Sequence, residues 1–263
     1  MLRILFVGDV MGSPGRRALG KLLGDLRSRL DAHLVVANGE NAAGGLGITG
    51  PTAAAILDSG VDVITLGNHT FTKKDMLAYI QSEPRILRPA NYPPGVPGRG
   101  WGVFEATTGE RVAVANLLGR TFMAPLDCPF RAADAIVAEI GGEPAVLVFD
   151  MHAEATSEKA AIGWYLDGRA SAVVGTHTHV QTSDERVLPG GTAYITDAGM
   201  TGVHDSVLGL DKHQVIERFL TQVTGKFAPA EGPTTLQGVL IEIDPATGRA
   251  LGIRRLSVNE GEI

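Results

Sequence analysis

The chain has 263 residues, 44% hydrophobic and 20% charged, which provides core material for most of its length and excludes wholesale disorder. Lys and Arg number 23 against 29 Asp and Glu, a formal charge of −6, the wrong sign for a protein that wraps duplex nucleic acid. Cys128 is the only cysteine, so an internal disulfide framework is excluded and a reducing, cytoplasmic setting is expected.

Leu2 to Val7 reads as a buried strand. After it, Ser13 and Pro14 offer an N-cap and a first-turn proline, and Leu19, Leu22, Leu23, Leu26 and Leu30 form one apolar helical stripe. The alternation then repeats: strand Leu34 to Ala37, helix near Pro51 to Leu57, strand Val61 to Leu66, helix near Lys73 to Ile80. From Pro84 to Arg99 the chain is rich in Pro and Gly and is expected to be irregular. Trp101 to Ala106 and Arg111 to Asn116 then form a hairpin that opens a second sheet. A helix over Arg131 to Ile140, strand Ala145 to Phe149, helix Ser157 to Leu166 and strand Ala172 to Val174 resume the alternation. Thr192 to Thr196, a helix over Asp211 to Val223 and an antiparallel pair, Leu236 to Ile243 with Leu251 to Val258, complete the chain.

No repeat, low-complexity tract or linker marks a boundary, so residues 1–263 are expected to form a single α/β domain of two packed mixed β-sheets flanked by helices. No apolar run approaches the roughly 20 residues of a spanning helix, and no membrane partner is expected.

The chemistry sits where the strands end. Val7 leads to Asp9, Val36 to Glu40 and Asn41, Ile64 to Asn68 and His69, Val148 to His152, and Val174 to His177 and His179. Parallel strands of an open sheet share their carboxyl edge, so these side chains are expected to converge. Carboxylates hold divalent cations, neutral imidazoles suit first-row metals, and Asn adds an uncharged oxygen. A carboxylate with two oxygens can bridge metals roughly 3.5–4 Å apart, and Glu40 is the central candidate. Two cations set against Asp9, Glu40 and a hydroxide leave residual positive charge, which favours an anionic phosphoester substrate.

In these segments the sequence resembles the calcineurin-like metallophosphoesterases, most closely their bacterial YmdB-type branch. The resemblance rests on Gly8-Asp9-Val10-Met11-Gly12, Asn38-Gly39-Glu40-Asn41, Gly67-Asn68-His69, Asp150-Met151-His152 and Gly175-Thr176-His177-Thr178-His179-Val180. It implies a four-layer α/β/β/α sandwich and hydrolysis of 2′,3′-cyclic nucleotides or related small phosphodiesters. It also implies that a hydroxide bridging two metals attacks phosphorus, the metals being divalent or mixed-valence ions, iron or manganese first and zinc as the alternative. One ion would be held by Asp9, Glu40, Asn41 and His179, the other by Glu40, Asn68, His152 and His177, with His69 as the general acid. The usual Asp-x-His opening is absent, since Val10 and Met11 follow Asp9, a departure shared with the YmdB-type branch. Phe71-Thr72 stands where relatives often carry Trp-Asp, and His204 takes no assigned role.

Taken singly, these residues have ordinary explanations: Asp9 as a helix cap, Asn68 in a turn, His152 as a hydrogen-bonded core histidine. Caps and turns give no reason for five strands to end in metal-competent groups, which is why the site is preferred. His33 and His213 are read as packing or surface residues and Arg16-Arg17 as a solvated face. Gly8, Gly12 and Gly15 lack the spacing of a dinucleotide fingerprint or P-loop. The alternatives kept are a non-catalytic, regulatory metal-binding protein and a phosphomonoesterase of the same fold; homo-oligomerisation is left open.

Overall fold

The computed structural model describes residues 1–141, 143 and 145–262. The first sheet begins with β1 (Leu2–Val7) and the two-residue β2 (Asp9–Val10), followed by helix α1 (Gly12–Leu30), β3 (Leu34–Asn38), α2 (Gly50–Asp58), β4 (Val63–Thr65), α3 (Met76–Ser82) and β5 (Ile86–Leu87). The second comprises β6 (Trp101–Glu105), β7 (Arg111–Leu118), β8 (Val146–His152), β9 (Ala172–Thr176), β10 (Arg186–Val187) and β11 (Ala193–Ile195), with α4 (Pro129–Ile140) and α5 (Thr156–Tyr165) between its strands. The chain then returns to the first sheet through β12 (Met200–Val203), α6 (Lys212–Thr221), β13 (Thr234–Ile243) and β14 (Ala250–Asn259).

The strand order is β2-β12-β13-β1-β3-β4-β5 in one sheet, with β14 on β13, and β10-β11-β9-β8-β7-β6 in the other. β1, β3, β4 and β5 run parallel, as do β7, β8, β9 and β11, whereas β13 and β6 pair antiparallel with β1 and β7. Both sheets are therefore mixed.

Strand side chains alternate between faces, and here both faces are buried. Leu5 and Val7 face α1 and α2 together with Leu19, Leu23 and Ile56. Ile4 and Phe6 point the other way, into a layer between the sheets shared with Val114, Val148 and Val174. Ala113, Leu147 and Phe149 pack outward against Ala133 and Ile136 of α4 and Ile162 of α5. Three apolar layers thus separate helices, sheet, sheet and helices, the expected α/β/β/α order. Among the described residues, no helix is long and apolar enough to cross a membrane.

Some boundaries differ from the sequence reading. Met11, not Ser13, stands at the N-cap of α1 and makes no side-chain cap bond, because β2 carries the chain straight into the helix. The irregular Pro84–Arg99 stretch contributes β5 to the sheet edge. His33 Nδ1 accepts from the Arg3 amide at 3.2 Å, in keeping with a packing role, and Arg16 donates to the Ala42 carbonyl instead of lying free in solvent.

Candidate metal centre

The carboxyl ends of β1, β3, β4, β8 and β9 open on one edge, and the polar residues that follow them meet there. Glu40 Oε1 lies 2.9 Å from His152 Nε2, which is 3.1 Å from Asn68 Oδ1. The Asn41 amide nitrogen is 3.4 Å from Glu40 Oε1 and 3.2 Å from His179 Nε2. His179 Nε2 is 3.6 Å from Asp9 Oδ1, and Asp9 Oδ2 accepts from the His177 amide at 3.1 Å. The His152 and His177 rings meet edge to face at 4.7 Å. All seven residues expected from sequence to hold metal are thereby brought into one connected cluster.

Glycine makes the close approach feasible. A Cβ on Gly67 would collide with His152 Nε2 and Glu40 Oε2, so the residue before Asn68 must have no side chain if both groups are to stay in place. The turn then closes on itself, Thr70 Oγ1 donating to the Gly67 carbonyl at 2.7 Å. At the other end of the cluster, His177 and His179 both have positive φ, 99° and 61°. Backbone strain of this kind is on the order of 1–3 kcal/mol per residue and persists where the surroundings over-determine it.

Hydrogen bonding behind the rings fixes how they are presented. Thr176 Oγ1 donates to Asp150 at 2.6 Å, so its oxygen accepts from His152 Nδ1 at 2.8 Å. His152 thereby turns Nε2 toward the oxygens of Glu40 and Asn68, to which it donates while protonated; a cation seated among these oxygens would take that proton's place on Nε2. His179 Nδ1 donates to the Leu208 carbonyl at 3.1 Å, leaving its Nε2 facing Asp9 and Asn41. Two of the imidazoles therefore have Nδ1 tied to the scaffold and Nε2 facing the cluster.

The donor set fits cations. Asp9, Glu40 and His152 are fully buried, and Asp9 Oδ1 is buried without a hydrogen-bond partner among the described residues; an unsatisfied buried carboxylate oxygen calls for positive charge. Glu40, His152 and His177 each offer one ligand atom, all within 4.8 Å of one another. Asp9, Asn41 and His179 form the second group, with Glu40 beside both.

The electrostatics carry the same message. Burial opposes the charged forms of Asp9 and Glu40, yet the neighbouring imidazoles hold both carboxyls below their ordinary range. Burial also opposes the His152 cation, but Glu40 and Asp9 push its pKa up to about 9. Burial and the charge of His152 push His177 down to about 4. The pocket thus pairs ionised carboxylates with whatever cation it can obtain.

His69 is half-buried beside the cluster. Its amide donates to Glu40 Oε2 at 2.9 Å, its Nε2 is 3.2 Å from the Asn68 amide, and burial lowers its pKa. Phe71, two residues on, packs edge to face on Tyr92 with centroids 5.5 Å apart. His204 Nε2 bonds the Met200 carbonyl at 3.1 Å and makes no hydrogen bond to the cluster.

Sequence reasoning gave no role to Asn38, Thr65, Asp150 or Thr176, which are buried together behind His152. Asn38 donates to Asp150 at 3.0 Å, Thr65 donates to the same carboxylate, and burial raises Asp150 to about 6. Their signal was present: polar residues inside otherwise apolar, two-face-buried strands. Glu154 also went unremarked, with Oε2 3.2 Å from His177 Nε2.

A family model described as YmdB-like protein matches residues 5–256. The chain is 51% identical over 259 residues to a 2′,3′-cyclic-nucleotide 2′-phosphodiesterase of Bacillus subtilis, covering 98% of each. Among solved structures it superposes on a novel phosphatase from Mycoplasma pneumoniae with a TM-score of 0.91 at 32% identity, covering 98% of this chain and 94% of the other. A calcineurin-like phosphoesterase, YfkN of Bacillus subtilis, shares the fold at a TM-score of 0.61 and 13% identity, with 98% and 90% covered.

Proposed function

Because the chain belongs to the YmdB-like protein family and shares its fold with a calcineurin-like phosphoesterase, we propose that it is a metal-dependent phosphodiesterase acting on 2′,3′-cyclic nucleotides. The observation that carries this reading is the convergence of Asp9, Glu40, Asn41, Asn68, His152, His177 and His179 in one connected cluster, in which Asp9 Oδ1 is buried without a hydrogen-bond donor among the described residues. Asp9, Glu40, Asn41 and His179 would hold one ion, and Glu40, Asn68, His152 and His177 the other, with Glu40 common to both sets. Bound there, iron, manganese or zinc supplies Lewis-acid stabilisation of the phosphoryl oxygens and lowers the pKa of water.

The chain's own groups do the rest. Thr176 and Leu208 lock two histidines in the ligand tautomer. Asn68 positions the His69 ring, and His69 delivers a proton to the departing ribose oxygen, which leaves poorly as an alkoxide. Burial depresses the His69 pKa, which makes its imidazolium a stronger acid. The half-buried Phe71–Tyr92 pair stands close by as an apolar wall.

Purified protein assayed on 2′,3′-cyclic nucleotides, 3′,5′-cyclic nucleotides and phosphomonoesters, before and after chelation, tests the proposal. Turnover of the 2′,3′ class, lost on chelation and restored by Mn²⁺ or Fe²⁺, is expected. Turnover surviving exhaustive chelation, or confined to monoesters, overturns it.

A further inference from the structure

Behind the strained histidines lies an ion pair that the proposed chemistry does not use. Lys159 of α5 and Asp197 are both fully buried, with Nζ 2.8 Å from Asp197 Oδ2. Buried charges are tolerated when paired and fully hydrogen-bonded, and this carboxylate spends its remaining acceptor capacity on the site. Oδ2 also accepts from the Thr178 amide at 3.0 Å and from Thr178 Oγ1 at 2.6 Å. Thr178 is the residue between His177 and His179, whose φ values are both positive. Oδ1 accepts from the Gly199 amide at 2.8 Å, and the Gly199 carbonyl accepts from the Asp9 amide at 3.0 Å. One carboxylate therefore ties the segment carrying two imidazoles to the segment carrying Asp9.

We infer that Asp197, charge-balanced by Lys159, is a positioning residue that sets Asp9, His177 and His179 at metal-binding separation by clamping Thr178 and Gly199. The inference rests on these three residues being ligands, as proposed above. The clamp needs a carboxylate: an amide at this position must turn an N–H toward Lys159 and Thr178, or toward Gly199, donor against donor. Lys159 runs along Gly175, where an added Cβ would press on its stem, so the cation has a fitted channel.

The test is Mn²⁺ titration of metal-stripped full-length protein by calorimetry, with thermal melts in parallel. Asp197→Asn is expected to bind Mn²⁺ about tenfold to a hundredfold more weakly, as for other residues that orient ligands. Thr178→Val, which loses the hydroxyl donor alone, is expected to show a smaller loss that Thr178→Ser restores. Asp62→Asn is the structural comparator, because Asp62 accepts from the Val35 amide at 2.7 Å and pairs with Arg27 at 3.0 Å without touching the site. It should lower the melting temperature and leave Mn²⁺ affinity unchanged. Glu40→Gln separates the two readings: if it too keeps wild-type affinity, the ligand assignment fails. If it loses metal while Asp197→Asn and Thr178→Val bind as wild type, the clamp is overturned. Should Asp197→Asn not fold, the Thr178→Val and Thr178→Ser pair decides.

Discussion

Glu40 and His152 face each other at 2.9 Å, Oε1 to Nε2, with neither side chain reached by solvent. The other carboxylate oxygen of Glu40 is held by the His69 amide at 2.9 Å, so the group is fixed at both ends and stands beside both halves of the donor cluster. Glu40→Gln keeps the shape and removes the charge. The expected outcome is a folded protein with fewer than two metals per chain by elemental analysis and no phosphodiesterase turnover. Two ions retained at wild-type affinity would show that Glu40 is not the shared ligand.

His69→Ala separates proton delivery from metal binding. Its ring bonds the Asn68 amide and, among the described residues, makes no hydrogen bond to a buried carboxylate, so metal content should be unchanged. With 2′,3′-cyclic nucleotides kcat is expected to fall about 10²- to 10⁴-fold, the usual range for loss of a general acid. A p-nitrophenyl diester, whose leaving group needs no proton, should lose far less. An equal loss on both substrates would remove His69 from that role.

The cluster was legible in the sequence because its polar residues follow apolar strands directly, so the strand ends also named the edge where they meet. The two-sheet sandwich was legible for a related reason: runs such as Leu34–Ala37 and Val146–Phe149 are apolar at every position, as strands buried on both faces must be. Two-residue strands such as β2 carry no periodicity, so the N-cap of α1 was misplaced. Lys159 illustrates a deeper limit. A lysine in a helix ordinarily marks the solvated face, and nothing near it in sequence reveals a partner 38 residues away. Burial of that pair is a property of the tertiary packing alone.

The alkaline limb of stability should carry the signature of Tyr194. Burial pushes its phenol up to about 12, and its hydroxyl lies 2.8 Å from Thr196 Oγ1. A folded pKa above the unfolded value of about 10 means that the protonated form favours folding. Its contribution is complete below pH 10 and is lost as pH rises through about 12. Denaturant unfolding of wild type and Tyr194→Phe at pH 8, 10 and 11.5 should therefore show the wild type losing up to about 2 kcal/mol relative to the variant over the upper interval. A pH-independent difference would mean that Tyr194 ionises as freely in the fold as outside it.

Gly67 allows the sharpest steric test of the centre. The residue lies between β4 and Asn68, and the space that a Cβ would take is already filled by His152 Nε2 and Glu40 Oε2. Neither group can yield cheaply: His152 is pinned through Nδ1 to Thr176, and Glu40 Oε2 is held by the His69 amide. Its φ is not in the left-handed region, so the backbone itself would accept alanine without strain. Gly67→Ala therefore acts on side-chain crowding at the proposed metal centre and not on turn geometry. The expected result is a protein with native secondary structure, Mn²⁺ affinity reduced at least tenfold and phosphodiesterase activity reduced in parallel. Gly20→Ala, on α1 where an added methyl meets nothing, should leave both unchanged and raise helix stability by about 0.5–1 kcal/mol. If Gly67→Ala binds metal as tightly as wild type, Glu40 and His152 have room to separate that the packing denies them.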